Sequence, residues 1–341
     1  MDYISTWFCA DKKGEESNYA QTGELSSSSK HQNIYWRCIA VFYYSSIYFN
    51  SSKKHVFFCN LKKFPVVDGV DFNILFNQLG VEIVYVPFEY KTPENYFGSW
   101  RNQFYIFSVL KYISQNHELG SKFLILDSDC VFTKSATELF EIADNNDGFC
   151  SYIVDYGPEH VINGISRLDM KLIFEELLHK KIAEIPEYHG GEFLMSSIEN
   201  IHKISKDFEA LWPILLNRNE NDLKKLNEEA HTLSFLYFKN NLVGGNANKY
   251  IKRLWTNPVF YRNIKEADQD LTIWHLPSEK LIGFKNLFDI LRKKDFKLDY
   301  DISNFQKELK TQFSIPNISF QQKIHYYISS YKKAIKRKFA N

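Results

Sequence analysis

The stretch FLILDSDCVF, residues 123–132, carries the strongest local signal in the sequence. Four apolar residues end abruptly in Asp127-Ser128-Asp129, and a continuous apolar run of that length is typical of a strand buried on both faces. Ligands of α/β sheets bind beyond the carboxyl ends of the strands. Two carboxylates held close together there repel each other unless a cation neutralises them. The stretch therefore predicts a divalent metal ion and a phosphate-bearing ligand; the plainer alternative is a solvated turn without function.

Around this stretch, apolar runs typical of strands alternate with helical patterns. Strands are predicted at residues 3–9, 55–59, 81–88, 123–126, 149–154, 187–196 and 271–276. Helices are predicted at residues 34–49, 72–79, 101–116, 136–143, 168–180, 201–216, 228–238 and 284–291. Ser135 is the candidate N-cap of the helix at 136–143, and residues 240–248 are predicted as a turn. The alternation predicts an α/β sandwich with a mostly parallel sheet.

The composition narrows the class of protein. The chain has 341 residues, 16% aromatic residues and a formal net charge of +1, which excludes a disordered chain. Its length slightly exceeds what one hydrophobic core usually serves, about 250–300 residues, so we expect one large domain with additions or two subdomains. Five cysteines without a C-x-x-C pair indicate reduced, buried thiols in a cytosolic protein rather than a zinc site.

The Asp-Ser-Asp stretch resembles the Asp-x-Asp motif of metal-dependent GT-A glycosyltransferases. With Val131 it also resembles the first motif of haloacid-dehalogenase-type phosphatases. Those phosphatases usually carry that motif near the chain start and need a later strand ending in paired acids, for which Asp268 and Asp270 are the nearest candidates. Glycosyltransferases of this fold place nucleotide-binding β/α units first and the motif near the middle, which is the order found here.

The glycosyltransferase resemblance spans roughly residues 3–285 and implies a GT-A-type, Rossmann-like α/β/α sandwich with a mostly parallel central sheet. It implies a domain at residues 1–300, with a nucleotide-binding half at about 1–132 and an acceptor or catalytic half at about 133–300. Residues 301–341 would then form a basic C-terminal tail with an amphipathic helix.

In this family the first strand commonly ends near an Ala or Asp, followed by an aromatic residue that holds the nucleobase. The sequence has Ala10 and Asp11 at the end of its first predicted strand and Tyr19 in the loop that follows. The resemblance assigns nucleotide binding to these residues, because an acid can accept the uracil imide N–H and a Tyr ring can stack on a base. A surface loop is the plain alternative.

Contacts to the diphosphate or sugar are implied at Ser128, within the Asp-x-Asp motif, and at Arg101. Retaining members often place an Arg on the helix before the motif, and Arg offers bidentate donors to phosphate and sugar oxygens. Lys111 is the other candidate on that helix. Either residue could instead be a solvated helix charge.

The run EYHGGEFLMS, residues 187–196, resembles the segment that lines the donor and acceptor sugars in galactosyl- and N-acetylgalactosaminyltransferases of the blood-group type. Because glycine lets a backbone approach a ligand closely, the resemblance assigns substrate binding to His189, Gly190 and Gly191. Glu192 could hydrogen-bond the sugar and is one candidate for a catalytic carboxylate. A β-bulge with surface side chains is the alternative.

Glu228-Glu229-Ala230-His231 resembles the acidic motif of the same enzymes. Alignment on the histidine puts Glu229 at the catalytic carboxylate under the anomeric carbon, where a negative charge suits an oxocarbenium-like transition state. The alternative is a helix N-terminus, at which acids interact favourably with the helix dipole.

The run IWHLPSEK, residues 273–280, resembles the late histidine segment of glycogenin-like and bacterial galactosyltransferases. There a histidine completes the metal site, so the resemblance implies a metal held by Asp127, Asp129 and His275, with Lys280 at the β-phosphate. A neutral imidazole ligand suits Mn²⁺ better than Mg²⁺. A buried structural histidine is the alternative.

Together these segments imply a metal-dependent hexosyltransferase that moves a sugar from a nucleotide-diphosphate donor, most simply a UDP-sugar, to a glycan or lipid-linked saccharide, with retention. Three alternatives stay open. They are an inverting GT-A enzyme with a carboxylate base, a phosphatase built on Asp127 and Asp129, and a non-catalytic protein that binds sugar nucleotides.

The near-neutral total charge hides a basic C-terminal segment. Residues 309–341 contain no Asp or Glu and seven of the 42 Lys and Arg residues, so residues 1–308 carry 35 bases against 41 acids, a balance of −6. Apolar residues from 321 to 339 form one helical stripe flanked by bases, which is typical of an anchor at an anionic membrane surface. We expect a cytoplasmic protein, peripheral on the inner face of the membrane, and no nucleic-acid partner. A helix packed on its own domain is the alternative.

Overall fold

The structure, a computed structural model, describes residues 1–17, 19, 22–318, 322–324 and 326–328. In the described part of residues 1–318 the chain forms the following twelve strands and nine α-helices. The strands are β1 (Asp2–Phe8), β2 (Lys54–Cys59), β3 (Val66–Val67), β4 (Val70–Asp71), β5 (Glu82–Tyr85), β6 (Lys122–Leu126), β7 (Cys130–Phe132), β8 (Phe149–Ile153), β9 (His189–Ser197), β10 (Gly245–Asn246), β11 (Ile251–Arg253) and β12 (Ile273–His275). The helices are α1 (Ser29–Phe49), α2 (Phe72–Leu79), α3 (Tyr105–Asn116), α4 (Thr137–Asp144), α5 (Arg167–Leu178), α6 (Ile198–Glu220), α7 (Glu229–Lys239), α8 (Gly283–Lys293) and α9 (Ile302–Gln312).

The described residues form a central seven-stranded sheet in the order β10-β8-β9-β6-β1-β2-β5. The strands β6, β1, β2 and β5 are parallel, while β9 runs antiparallel to both of its neighbours, β6 and β8. The predicted α/β fold with a mostly parallel sheet is therefore confirmed. Because β9 is antiparallel, its first residues lie at the same edge of the sheet as the end of β6, and the Asp127 N–H donates to the Glu192 carbonyl oxygen at 3.1 Å.

A second sheet of three short strands, in the order β11-β12-β7, packs beside that edge. Strand β12 pairs in parallel with β11 and antiparallel with β7, so that His275 lies in register with both Arg253 and Cys130. The Leu276 N–H donates to the Asp129 carbonyl oxygen at 2.9 Å. This sheet therefore brings the predicted late histidine to the residues that follow β6.

Helix starts follow local hydrogen-bonding chemistry. Ser28 caps α1, since its side chain accepts from the His31 N–H, and Asp71 caps α2 in the same way. The predicted cap at Ser135 is wrong by one position, because α4 begins at Thr137 and Ala136 holds the N-cap position without a side-chain bond. The cap prediction failed because the Ser135 hydroxyl accepts from the first helical N–H rather than from the second or third.

The C-terminal part of the described chain packs on α1. In α9, Phe305 and Leu309 are fully buried, and the Phe305 ring lies 5.4 Å from the Tyr44 ring. Residues 322–324 and 326–328 are helical, but most of the predicted amphipathic helix at 321–339 lies outside the described residues. In the part of the chain that the structure describes, we find no helix long and apolar enough to cross a membrane.

Candidate active site

A cavity of about 290 Å³ lies where β1 and β6 end and β9 begins. Nine of the fourteen predicted site residues line it, and they come from strands β9 and β12, from α7 and from the loops after β1, β6 and β12. They are Tyr19, Asp127, Ser128, Asp129, Gly191, Glu192, Glu229, His275 and Lys280. Ala10, Asp11, Arg101, His189 and Gly190 are not among the lining residues. The fold thus gathers segments more than 250 residues apart in sequence into one site.

Asp127, Asp129 and His275 form a cluster with the geometry of a metal site. Each offers one ligand atom, and the three atoms all lie within 4.8 Å of one another. His275 Nε2 lies 3.8 Å from Asp127 Oδ2 and 3.4 Å from Asp129 Oδ2. Two carboxylates and an imidazole are ligands that Mn²⁺ accepts, and Mg²⁺ accepts the carboxylates, so the donor set fits either ion.

Charge around the cluster separates the two aspartates. Burial and the neighbouring Asp129 together raise the pKa of Asp127 to about 6. Burial would also raise the pKa of Asp129, but Lys280 and His275 outweigh it and hold that pKa below its usual range. Asp129 is therefore a stable anion. The charged form of Asp127 is unfavourable unless a further positive charge binds nearby.

Lys280 lies at the base of the site with only 7% of its surface exposed. Its ammonium contacts Asp129 Oδ2, the oxygen that also lies nearest His275 Nε2. Burial alone would lower the pKa of Lys280, but Asp129 holds it above its ordinary value. Lys280 is thus a charged donor within the cavity, and it is already paired with a candidate metal ligand.

Glu229 is the first residue of α7 and its carboxylate faces β9. A Cβ at Gly191 would lie 2.5 Å from Glu229 Oε1, so this close approach requires glycine. With its amide nitrogen facing the carboxylate, Gln103 donates to Glu229 Oε2 at 2.7 Å. Burial raises the pKa of Glu229, and the adjacent Glu228 raises it further. The site thus holds an oriented carboxyl group in the cavity wall.

Glu228 forms a second buried carboxyl centre beside Glu229. It accepts a hydrogen bond from the Tyr188 hydroxyl at 2.8 Å and another from the Asn163 amide. His231, the histidine of the acidic motif, is fully buried, and burial lowers its pKa to about 3. The motif therefore supplies two carboxyl groups to the cavity, while its histidine stays neutral in the interior.

One side of the cavity is lined by the end of β1 and by the loop after it. The Tyr19 hydroxyl donates to Asn102, and the Asn102 amide donates to the Cys9 carbonyl oxygen at 3.1 Å. Asp11 is buried behind this layer and accepts from the Ser26 hydroxyl at 2.6 Å. Burial raises the pKa of Asp11 to about 6. Of the nucleobase candidates, Tyr19 is the one that reaches the cavity.

Several predicted residues make structural contacts instead of lining the cavity. The Asn60 side chain accepts from the Ala10 N–H and donates to the Ala10 carbonyl oxygen. Arg101 donates through Nη2 to the Thr92 carbonyl oxygen at 3.1 Å, and Lys111 forms an ion pair with Glu89. These contacts hold loops next to the site.

His189 and Gly190 also lie outside the cavity lining. His189 Nδ1 lies 2.9 Å from the Ser151 hydroxyl, and its ring packs against Tyr237 of α7. At Gly190, a Cβ would collide with the Glu192 carboxylate. Gly190 therefore leaves room for the Glu192 side chain, and His189 belongs to the contact between β9 and α7.

The structure adds residues that the sequence analysis did not single out. Gln103 lies in a short 3₁₀ turn before α3, Arg253 ends β11, and Asn163 and Tyr188 come from loops. Trp100 and Trp255 add aromatic surface to the cavity. Glu228 and Tyr188 belonged to quoted motifs, so the sequence could have indicated them; the others become neighbours only through tertiary contacts.

Comparisons with known proteins identify fold neighbours only. No protein-family model matches the sequence, and no curated protein matches it. Among solved structures, the chain is similar to mouse xyloside xylosyltransferase 1 in its apo form, with 12% identity, 81% of this chain and 97% of that chain covered, and a TM-score of 0.44. It is also similar to an active-site mutant of LgtC, with 13% identity, coverage of 81% and 87%, and a TM-score of 0.46.

Proposed function

We propose that the protein is a metal-dependent glycosyltransferase of the GT-A type, which transfers a sugar from a nucleotide-diphosphate donor, most simply a UDP-sugar, to a saccharide or lipid-linked acceptor. The observation that carries the proposal is the meeting of Asp127, Asp129 and His275 with Glu229 in one cavity at the edge of a mostly parallel sheet. That combination offers a metal-binding end and a carboxyl group in the same space, as transfer from a sugar diphosphate requires.

The charges of the cavity support this chemistry. Its lining includes five carboxyl groups and two strong bases, namely Asp127, Asp129, Glu192, Glu228, Glu229, Arg253 and Lys280, together with the weaker bases His31 and His275. The excess of acids favours a divalent cation over a bare anion. When bound, Mn²⁺ or Mg²⁺ would act as a Lewis acid on the departing diphosphate. Lys280 would donate to phosphate oxygens, and aromatic side chains such as Trp255 offer surfaces for sugar rings.

Glu229 is our candidate for the group that faces the anomeric carbon. As an anion it would stabilise an oxocarbenium-like transition state or attack it, which corresponds to transfer with retention. Gln103 would orient the carboxyl group by its hydrogen bond. In an inverting reaction the same carboxylate would instead accept the proton of the acceptor hydroxyl.

A phosphatase is a weaker explanation of the same aspartates. Its later acid pair would have to meet Asp127, yet Asp268 and Asp270 are absent from the residues described as lining the cavity. Asp268 instead pairs with Lys252 at 2.8 Å. Asp268, which a phosphatase would need beside Asp127, is therefore engaged in an ion pair elsewhere.

The proposal predicts metal-dependent nucleotide release from sugar donors. With Mn²⁺, we expect UDP to be released from at least one of UDP-glucose, UDP-galactose and their N-acetylated forms, and we expect a chelator to abolish the release because the diphosphate then loses its Lewis acid. A coupled UDP assay with and without added saccharides measures this. Hydrolysis of a phosphomonoester without UDP release would contradict the proposal, as would nucleotide binding without turnover.

We further propose that residues 321–341 hold the protein at an anionic membrane surface on the cytoplasmic side. Ile324, Tyr327 and Ile328 are exposed, whereas Tyr326 is buried and donates to Glu279, next to Lys280. The exposed apolar side chains and the basic residues that follow suit an interfacial anchor. The buried tyrosine would tie such an anchor to the body of the protein.

This location predicts charge-dependent binding to lipid vesicles. A chain that ends at residue 328 keeps Tyr326 and loses five of the seven tail bases. Because each base near an anionic leaflet contributes roughly 1 kcal/mol, we expect the shortened chain to bind vesicles containing phosphatidylglycerol more than tenfold more weakly. Flotation measures this, with neutral phosphatidylcholine vesicles as the control. Equal flotation of both chains would contradict the anchor.

A further inference from the structure

We propose that Glu192 and Arg253 are positioning residues that fix the ring of His275 for metal binding. The proposal rests on the metal site of the proposed function. Glu192 is only 2% exposed although it lines the cavity. Its carboxylate is bound on two sides, by the Arg253 guanidinium and by the His275 imidazole. Such a group is held in place rather than free to act on a substrate.

Both oxygens of Glu192 are engaged. Arg253 Nε donates to Oε1 at 2.8 Å and Arg253 Nη2 donates to Oε2 at 2.6 Å, so the guanidinium grips the carboxylate in a bidentate pair. His275 Nδ1 lies 3.2 Å from the same Oε1. Glu192 thus joins Arg253 to His275 with a fixed geometry.

The fold imposes this geometry. Arg253 and His275 are register partners on β11 and β12, so their side chains project from the same face of the small sheet. Glu192 comes from β9 of the large sheet, where its carbonyl oxygen accepts from the Asp127 N–H. The carboxylate of Glu192 therefore bridges the two sheets at the point where the candidate metal ligands meet.

The hydrogen bond between Glu192 and His275 would orient the histidine ring for metal binding. A histidine that donates Nδ1–H to a carboxylate presents the lone pair of Nε2, and that nitrogen faces Asp127 and Asp129. Partners of this kind orient metal-binding histidines, and their loss typically costs 10- to 100-fold in metal affinity. Arg253 has the further role of holding the carboxylate against His275. Glu192, a candidate catalytic group in the sequence analysis, would then act through His275 and not on the sugar.

Metal affinity tests the proposal directly. Mn²⁺ binding can be followed without any substrate, because the electron paramagnetic resonance signal of free Mn²⁺ falls as the ion binds. We expect Glu192→Gln and Arg253→Met each to weaken Mn²⁺ binding 10- to 100-fold. Lys252→Met is the matched control, since Lys252 is the neighbour of Arg253 on β11 and pairs with Asp268 outside the cavity. That control is expected to bind Mn²⁺ like the wild type.

The double variant Glu192→Gln with Arg253→Met separates position from charge. Together the two substitutions leave the net charge of the site unchanged, so a purely electrostatic role would restore wild-type affinity. We expect the double variant to stay at least tenfold weaker, because the ring of His275 has lost the charged carboxylate that Arg253 held against it. If either single variant fails to fold in a thermal melt, Arg253→Lys replaces it. Lysine keeps the charge but loses the bidentate grip, and we again expect weaker binding.

Two outcomes would overturn the proposal, and both are read from Mn²⁺ affinity alone. One is wild-type Mn²⁺ affinity in Glu192→Gln. The other is recovery of affinity in the double variant. The proposed function fails differently: the wild type would bind Mn²⁺ in a manner weakened by Asp129→Asn, yet release no nucleotide from any sugar donor.

Discussion

Asp127→Asn is expected to lower metal-dependent UDP release about 10³-fold while leaving the metal-free protein as stable as the wild type or more stable. The loss follows because Asp127 and Asp129 would both hold the divalent ion, and the Lewis-acid contribution of such an ion, several kcal/mol, corresponds to a factor of that order. Stability is retained because the half-buried Asp127 carboxylate lies beside Asp129, and both its burial and this neighbouring charge raise its pKa. An amide of the same shape removes that penalty.

Asp129→Asn provides the contrast that makes this prediction specific. It should lose the same activity but should also destabilise the protein, because Lys280 would keep a buried charge without its partner. Breaking a buried ion pair in this way typically costs about 3–5 kcal/mol. Asp268→Asn is the control outside the cavity, with expected wild-type activity. UDP release and denaturant unfolding without metal measure all three variants. If Asp127→Asn released UDP at the wild-type rate in a metal-dependent way, Asp127 would not be a metal ligand.

The order of the main elements was predictable from the sequence because long apolar patterns define them. The strand before Asp127 is a continuous apolar run, the helix that became α2 has clear apolar periodicity, and both have clear ends. Strands β7, β10 and β11 were not predicted, since two or three residues cannot establish a period. The pairing of these strands depends on tertiary contacts. Arg253 belongs to the site because β11 pairs with β12 in this way.

The sequence also could not predict what lies against each face of strand β9. The motif suggested that His189 and Glu192 both contact the sugar. In a strand, residues 189 and 191 share one face and residue 192 lies on the other. Helix α7 covers the first face, where the His189 ring packs against Tyr237. On the second face, the Glu192 carboxylate contacts Arg253 and His275. A sequence pattern gives the alternation but not which helix covers each face.

The sequence also could not predict which charged side chains pair with one another. Lys280 was expected to be a phosphate donor, yet the structure adds its contact with Asp129. Gln103 had no motif around it, and it joins the site because the turn before α3 reaches Glu229. Residue types therefore predicted the presence of metal ligands and a carboxyl group. Only the folded arrangement defines which of these groups are paired.

Glu229→Gln is expected to lower UDP release and sugar transfer by about 10²- to 10³-fold, because a neutral amide cannot stabilise the positive charge that develops at the anomeric carbon. Folding should not suffer. Burial and Glu228 both raise the pKa of Glu229, so the substitution relieves an unfavourable charge. Mn²⁺ affinity is expected to stay near the wild-type value, which separates this variant from Asp127→Asn.

The adjacent Glu228→Gln is the matched control for Glu229→Gln, because the two residues share one motif and both line the cavity. Glu228 is bound by Tyr188 and Asn163, so its oxygens are engaged by protein donors, whereas Glu229 lies against Gly191 with Gln103 as its donor. We therefore expect a smaller loss of rate in Glu228→Gln. Rates measured with saturating Mn²⁺ decide between the two carboxyl groups. Wild-type transfer by Glu229→Gln, with a collapse in Glu228→Gln, would move the catalytic role to Glu228.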